Sequence, residues 1–118
     1  MTHAEMVRAL VKPGDEIIRD LTPLAAHLWH MASALQGEAG ELFDAVKKPV
    51  IYGKDSFDMT NIVEELGDIE FYLEGFRQAL GLTRDQTLEA NMAKLGKRYA
   101  TGVYSNAQAQ ARADKLGE

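Results

Sequence analysis

Two long segments of this chain repeat apolar residues at the spacing of an α-helix, and this pattern restricts the fold more than any other feature. At 100° per residue, the apolar residues of each segment form one narrow stripe. Patterns typical of strands are almost absent. The sequence therefore predicts an all-α helical bundle with these stripes in its core: Leu24, Leu28, Met31, Leu35, Leu42 and Val46 in the first helix, and Ile62, Leu66, Ile69, Leu73, Phe76 and Leu80 in the second.

Capping and helix-breaking residues set the predicted bounds of the first long helix. Thr22 is a good N-cap, and Pro23 suits the first helical position. Pro49 disfavours helical backbone at the residue before it, so the helix is expected to end near Lys48. The short run PVIYG that follows is bounded by proline and glycine, and it is interpreted as a loop.

The same capping rules bound the remaining helices. Gly81 is a typical C-terminal cap, and Thr83 with Gln86 forms a capping box, as does Ser105 with Gln108. We predict about three long helices with short N- and C-terminal ones. Beyond the first, these are a second long helix from Asp58 or Thr60 to Gly81, a third from Thr83 to about Tyr99, and short helices over residues 4–11, 15–20 and after Ser105.

Composition limits the class of protein. The 118 residues suffice for one compact domain, predicted to span residues 1–118, and 46% of them are apolar. A net charge of −5 argues against nucleic-acid binding, which needs a basic face. The absence of cysteine excludes thiolate metal sites and fits a reducing cytoplasm. The N-terminus lacks the long apolar run of a signal peptide or membrane span, so a cytoplasmic protein with no membrane partner is expected.

Four acidic residues lie within or beside the apolar stripes. Glu38 and Glu41 in GEAGEL, then Glu65 and Asp68 in EELGDIEF, are each spaced i, i+3, so each pair shares a helix face. One such acid usually reaches solvent or pairs with a base. Two pairs on consecutive antiparallel helices repel each other, and this repulsion is relieved by a hard divalent cation with oxygen ligands. The pattern indicates a Mg²⁺ site, with Mn²⁺ as a substitute.

A di-iron carboxylate site is the nearest alternative, because such bundles also take glutamates from several helices. That site requires Glu-x-x-His pairs. None of His3, His27 and His30 has a glutamate three residues before it, so the sequence argues against this alternative.

Three motifs resemble those of the all-α nucleoside triphosphate pyrophosphohydrolases, the MazG-like family. They are GEAGELFDAVKK, NIVEELGDIEFY and NMAKLGKRY, and the resemblance spans roughly residues 27–102. It implies that the motifs E-x-x-E and E-x-x-D coordinate Mg²⁺ and that N-x-x-K-x-x-x-R contacts the substrate phosphates. The implied metal-binding and catalytic residues are Glu38, Glu41, Glu65 and Asp68, and the implied phosphate contacts are Asn91, Lys94 and Arg98.

Other residues near the acidic motifs have more open roles. Lys48 and His30 share the helix face of Glu38 and are further candidate substrate-binding residues. His30 suits either a nucleobase contact or a structural hydrogen bond. Trp29 projects to another face and is interpreted as core or interface. Many family members have two adjacent glutamates where this chain has Gly37 and Glu38, which leaves the substrate branch and the number of metal ions open.

The predicted function is hydrolysis of a nucleoside triphosphate, in particular a deoxynucleoside triphosphate, to the monophosphate and pyrophosphate. The resemblance also implies a homodimer or homotetramer, and a role in nucleotide-pool control. Two alternatives stay open. One is a phosphohydrolase of the dUTPase or phosphoribosyl-ATP type on the same scaffold, and the other is a non-catalytic helical interaction module.

Overall fold

The computed structural model describes residues 1–53 and 56–115. Residues 54, 55 and 116–118 lie outside the described part. The last three of these also belong to the predicted domain of residues 1–118. Every regular element in the described part is helical, which confirms the predicted all-α class. The elements are α1 (His3–Leu10), α2 (Gly14–Arg19), α3 (Pro23–Tyr52), α4 (Met59–Ala79), α5 (Arg84–Arg98), α6 (Asn106–Ala111) and a C-terminal 3₁₀ helix (Ala113–Lys115).

Helix α3 begins as predicted but ends later. The Thr22 hydroxyl accepts a hydrogen bond from the Ala25 N–H at 3.0 Å, as an N-cap should. The prediction that Pro49 ends the helix is wrong, because α3 continues through it and the run PVIY is helical rather than a loop. Proline removes one hydrogen-bond donor and crowds the carbonyl four residues earlier, but Gly53, with φ at 69°, offers a left-handed cap one turn later. That cap favours continuing the helix to Tyr52.

The ends of α4 and the start of α5 follow the capping chemistry. The Asp58 carboxylate accepts a hydrogen bond from the Asn61 N–H at 3.1 Å, which caps the start of α4. Gly81 has φ at 69°, the left-handed conformation in which glycine is favoured after a helix. At the start of α5, Thr83 and Gln86 exchange hydrogen bonds of 3.1 and 2.8 Å. The predicted capping box is therefore confirmed.

The chain divides into two compact units, which are described separately. The first is Met1–Leu73, with α1, α2, α3 and most of α4. The second is Glu74–Glu118, in which α5 contacts both α6 and the 3₁₀ helix. The first unit therefore contains both acidic motifs, and the second contains the basic motif.

The single chain covers little of its apolar surface. Among the described residues, the buried apolar ones are Met31 and Ala45, both on α3. Trp29, predicted to lie in a core or an interface, is 74% exposed, so it is no part of a core within this chain. Phe71 on α4 is 68% exposed. Exposed apolar area of this kind marks contact surfaces in soluble proteins. None of the described helices has both the length and the apolar character needed to cross a bilayer.

Candidate active site

Three of the four predicted acidic ligands meet at one point of the first unit. Glu38 comes from α3, whereas Glu65 and Asp68 come from α4. Each contributes one carboxylate oxygen, and the three oxygens lie within 4.8 Å of one another. Glu38 and Glu65 are half-buried and Asp68 is exposed, so the group opens to solvent on one side. We call Glu38, Glu65 and Asp68 the acidic cluster.

Glu65 has an unusual protonation equilibrium. Its pKa is raised from 4.5 to about 7, first by its hydrogen bond with Glu38, then by desolvation and by the nearby negative charges. Two carboxylates that share a site cannot both ionise freely, which is the physical cause. In addition, Glu65 Oε2 is buried and has no hydrogen-bond partner. A buried oxygen without a donor is an unusual and costly arrangement.

Glu41, the fourth predicted ligand, is not one of these three residues. It is exposed on α3, one helical turn after Glu38. Its charge still acts on the acidic cluster, because it is among the causes that raise the pKa of Glu65. Glu41 therefore lies close enough to add negative charge to a cation bound there.

The acidic cluster fits a hard divalent cation. All its ligand atoms are carboxylate oxygens, the donors that Mg²⁺ and Mn²⁺ prefer. A cation would supply the missing partner for Glu65 Oε2, and it would neutralise charges that otherwise repel. The open side left by Asp68 would admit waters or substrate oxygens, which Mg²⁺ usually keeps in its coordination shell. The residues present therefore suit the predicted metal.

Lys48 lies beside a cleft at the end of α3. Its ammonium is 3.0 Å from the Asp44 carboxylate, an i, i+4 pair on the helix surface. This hydrogen bond raises the pKa of Lys48. The cleft measures about 180 Å³ and also involves Asp58 and Asn61 from the start of α4. Lys48 is therefore a paired, exposed cation at the mouth of a small polar cleft.

His30 lies at a different cavity of the first unit. This cavity measures about 590 Å³ and is mainly apolar, with Trp29 and Leu21 among its lining residues. His30 is exposed, and its backbone carbonyl accepts a hydrogen bond from the Ser33 hydroxyl at 3.1 Å. The volume is in the range of small-molecule pockets. Both earlier interpretations of His30, a nucleobase contact or a structural histidine, remain predictions.

The predicted phosphate-binding residues all lie on α5 in the second unit. Asn91 and Lys94 are exposed, and Arg98 is half-buried at the end of the helix. Arg98 Nε donates a hydrogen bond of 2.9 Å to Asp114 Oδ1 in the C-terminal 3₁₀ helix. This contact raises the pKa of Arg98 and lowers that of Asp114. In this motif, Asn91 and Lys94 are therefore exposed to solvent, whereas Arg98 is held by Asp114.

The sequence patterns did not predict the acidic partners of two candidate substrate-binding residues, Lys48 and Arg98. Asp44 could have been found, because its i, i+4 spacing to Lys48 is a standard helix-surface ion pair. Asp114 could not have been found in this way. It lies sixteen residues after Arg98, beyond a turn, and no periodic pattern connects the two.

These features define a class of protein: an all-α chain with a carboxylate cluster suited to a divalent cation. A family model described as the MazG nucleotide pyrophosphohydrolase domain matches residues 28–103. The chain therefore belongs to this family, which confirms the resemblance and indicates a nucleotide pyrophosphohydrolase. Searches of curated proteins and of solved structures found no match.

Proposed function

We propose that this protein hydrolyses a nucleoside triphosphate, in particular a deoxynucleoside triphosphate, to the monophosphate and pyrophosphate, with Mg²⁺ as cofactor. The observation that carries the proposal is the acidic cluster, which lies within the matched family region and contains a buried carboxylate oxygen without a partner. Structural acids are normally paired. Among the described residues, no basic side chain pairs with the acidic cluster, and a bound cation explains such a cluster better than a structural role does.

In this proposal, Glu38, Glu41, Glu65 and Asp68 hold the cation. When bound, Mg²⁺ neutralises phosphate charge and lowers the pKa of a coordinated water. The half-buried Glu38 and Glu65 fix the position of the site, and the exposed Asp68 borders its open side. Glu41, which is exposed and one turn after Glu38, is the acid that we propose orients the attacking water or accepts its proton.

Five further residues are proposed to bind the substrate. Asn91, Lys94 and Arg98 would bind the phosphates. The positive side chains of Lys94 and Arg98 would offset charge that develops on the pyrophosphate leaving group. Lys48 would contribute from the polar cleft at the end of α3. His30 would contact the nucleobase. The support for these roles is the match of the whole region to the family, and the side chains other than that of the half-buried Arg98 are exposed.

We propose that the protein is a cytoplasmic homodimer or homotetramer that acts in nucleotide-pool control. Support for an assembly comes from the small number of buried apolar residues and from exposed aromatics such as Trp29 and Phe71. We also propose that residues 1–118 form a single domain of this family. The matched region extends across the boundary between the two compact units, which supports that view.

The test is a panel of NTPs and dNTPs with Mg²⁺, in which pyrophosphate and orthophosphate are measured separately. We expect pyrophosphate and a nucleoside monophosphate from the preferred substrate. Glu65→Gln should lower turnover by at least about 100-fold, since even outer-shell partners of metal ligands are worth 10–100-fold. Glu64→Gln is the matched control, because Glu64 is the neighbouring exposed acid outside the cluster, and it should keep parent-like turnover.

Three outcomes would contradict the proposal. Orthophosphate and a diphosphate as primary products would indicate a different reaction. Turnover that is equal in EDTA and in Mg²⁺ would remove the role of the acidic cluster. Equal losses of turnover in the Glu64 and Glu65 variants would show that activity depends on the net charge and does not depend on the acidic cluster. A preference for dUTP alone or for phosphoribosyl-ATP would favour the related phosphohydrolases.

A further inference from the structure

An ion pair of low exposure in the second unit joins the end of α5 to the C-terminal 3₁₀ helix. Arg98 Nε donates to Asp114 Oδ1 at 2.9 Å, across sixteen residues of chain. The Asp114 side chain is only 7% exposed and that of Arg98 18%. Acidic side chains are rarely so covered unless they are paired. The main partner of Asp114 is therefore Arg98, the arginine of the basic motif.

The chain between the two residues is folded so that Asp114 returns to α5. The Ser105 hydroxyl caps α6 by accepting a hydrogen bond from the Gln108 N–H at 3.0 Å. Arg112 then adopts a left-handed conformation with φ at 49°, which is uncommon for a residue other than glycine. The Lys115 N–H closes the turn on the Arg112 carbonyl at 2.8 Å. A sharp reversal after α6 thus brings the 3₁₀ helix against α5.

The chemistry of the guanidinium explains what such a contact can do. Arginine has five N–H donors in one plane, and its long side chain has about 2 kcal/mol of rotamer entropy to lose on ordering. A carboxylate that takes the Nε–H fixes the plane of the group and leaves other donors for a phosphate, which arginine binds in bidentate fashion. Ion pairs of low exposure are weak evidence for stability but can give conformational specificity.

We infer that Asp114 is a positioning residue that holds the Arg98 guanidinium in the orientation that binds the pyrophosphate part of the substrate. The inference rests on the proposed function, since it takes Arg98 as a phosphate contact. Asp114 touches no substrate in this role, and it acts through Arg98 alone. Its effect should therefore vanish when Arg98 is absent.

The test measures the binding of Mg²⁺–pyrophosphate by calorimetry, which requires no turnover. Asp114→Ala should weaken binding by about 10-fold, because misplacing a binding group by even 1 Å is costly. Asp114→Asn keeps an oxygen that can accept the Nε–H, and it should recover most of the loss. In the Arg98→Ala background, Asp114→Ala should have no further effect. Glu89→Ala removes an exposed acid from α5, the helix that carries Arg98. It controls for the change in net charge and should bind Mg²⁺–pyrophosphate at least as well as the parent.

The opposite results would overturn the inference. Parent-like binding by Asp114→Ala, an equal loss in Asp114→Asn, or a full loss that persists in the Arg98→Ala background would each show that Asp114 does not act through the guanidinium. Parent-like binding by Arg98→Ala would remove the premise. Melting curves of each variant check that the chain is folded, and the Asn variant preserves the contact if alanine disturbs the C-terminal segment. Failure of the proposed function would appear separately, as absence of pyrophosphate release from the panel of triphosphates.

Discussion

The acidic cluster and the Arg98–Asp114 pair use carboxylates in opposite ways. In the acidic cluster, like charges come together, and the pKa of Glu65 is raised to about 7. In the pair, the arginine lowers the pKa of Asp114, mainly through the hydrogen bond between them. Glu65 has a buried oxygen without a partner, whereas Asp114 has its partner within the chain. The pair is complete in the single chain, whereas the proposed cation would complete the acidic cluster.

This difference predicts opposite effects of removing one acid on the stability of the metal-free protein. Loss of Asp114 would leave the partly buried charge of Arg98 without compensation, which destabilises the folded state. Loss of Glu38 would relieve repulsion within the acidic cluster. Sites adapted for activity often carry the kind of local instability expected of the acidic cluster.

The largest effect is expected from Glu38→Leu. This variant should lose turnover, yet in EDTA at pH 8 it should melt at or above the parent temperature, because leucine removes a like charge and adds part of the roughly 1.5–3 kcal/mol of a buried side chain. Mg²⁺ should then stabilise only the parent, by about 2.7 kcal/mol at a hundred times its Kd. Thermal melting in EDTA and in millimolar Mg²⁺ measures both effects. With Mg²⁺, the difference in melting temperature between the variant and the parent should shrink or change sign.

Asp114→Ala provides the matched comparison in the same melting series. It should melt below the parent in EDTA, and its response to Mg²⁺ should equal that of the parent. If Glu38→Leu instead melts well below the parent in EDTA, Glu38 has a structural partner and is not a metal ligand. The contrast between the two regions would then disappear.

A smaller effect is expected from pH, through Glu65. Its folded-state pKa of about 7 exceeds the ordinary 4.5, so the folded protein binds this proton more tightly than the unfolded chain does. The resulting stabilisation is fully present below pH 4.5 and is lost as the pH rises through about 7. In EDTA, the parent should therefore lose stability between pH 5 and 8 more steeply than Glu65→Gln, whose amide does not titrate.

Metal binding should follow the opposite direction with pH. A cation competes with the proton on Glu65, so Mg²⁺ affinity should weaken by about tenfold per pH unit below 7 and level off above it. Calorimetry at pH 6, 7 and 8 measures this dependence. Equal melting slopes for parent and Glu65→Gln, together with Mg²⁺ affinity that is independent of pH, would show that Glu65 does not titrate within the acidic cluster.

Much of the fold could be predicted because helix ends depend on local chemistry. The caps at Thr22, Gly81 and Thr83 involve residues at most a few positions apart, and all three were predicted. The wrong prediction at Pro49 has the same origin, because the local preference of proline does not take account of the competing cap at Gly53. Helical spacing also placed Glu38 beside the apolar stripe and the two acids of α4 on one face.

Other parts could not be predicted from spacing. That Glu38 meets Glu65 and Asp68 while Glu41 is exposed depends on how α3 and α4 approach each other. The contact of Asp114 with Arg98 depends on a chain reversal at Arg112, a residue with no sequence preference for the left-handed conformation. Contacts of this kind follow from tertiary structure, and the family match, which ends at residue 103, does not extend to Asp114.

The smallest expected effect concerns an α4 face outside the acidic cluster. Gly67, Phe71 and Gly75 recur every fourth residue there, and a Cβ built on Gly67 meets nothing within 4 Å in the single chain. On a free helix surface, Gly67→Ala should therefore gain about 0.5–1 kcal/mol of helix stability. We predict instead that Gly67→Ala is destabilising, because we expect a second copy to pack closely on this face in an isologous contact. Gly96→Ala on α5, also with open space, is the control and should show the gain. Light scattering and melting at several concentrations should show a weaker dimer for Gly67→Ala alone, and a parent that is monomeric at micromolar concentration would leave this face without its predicted partner.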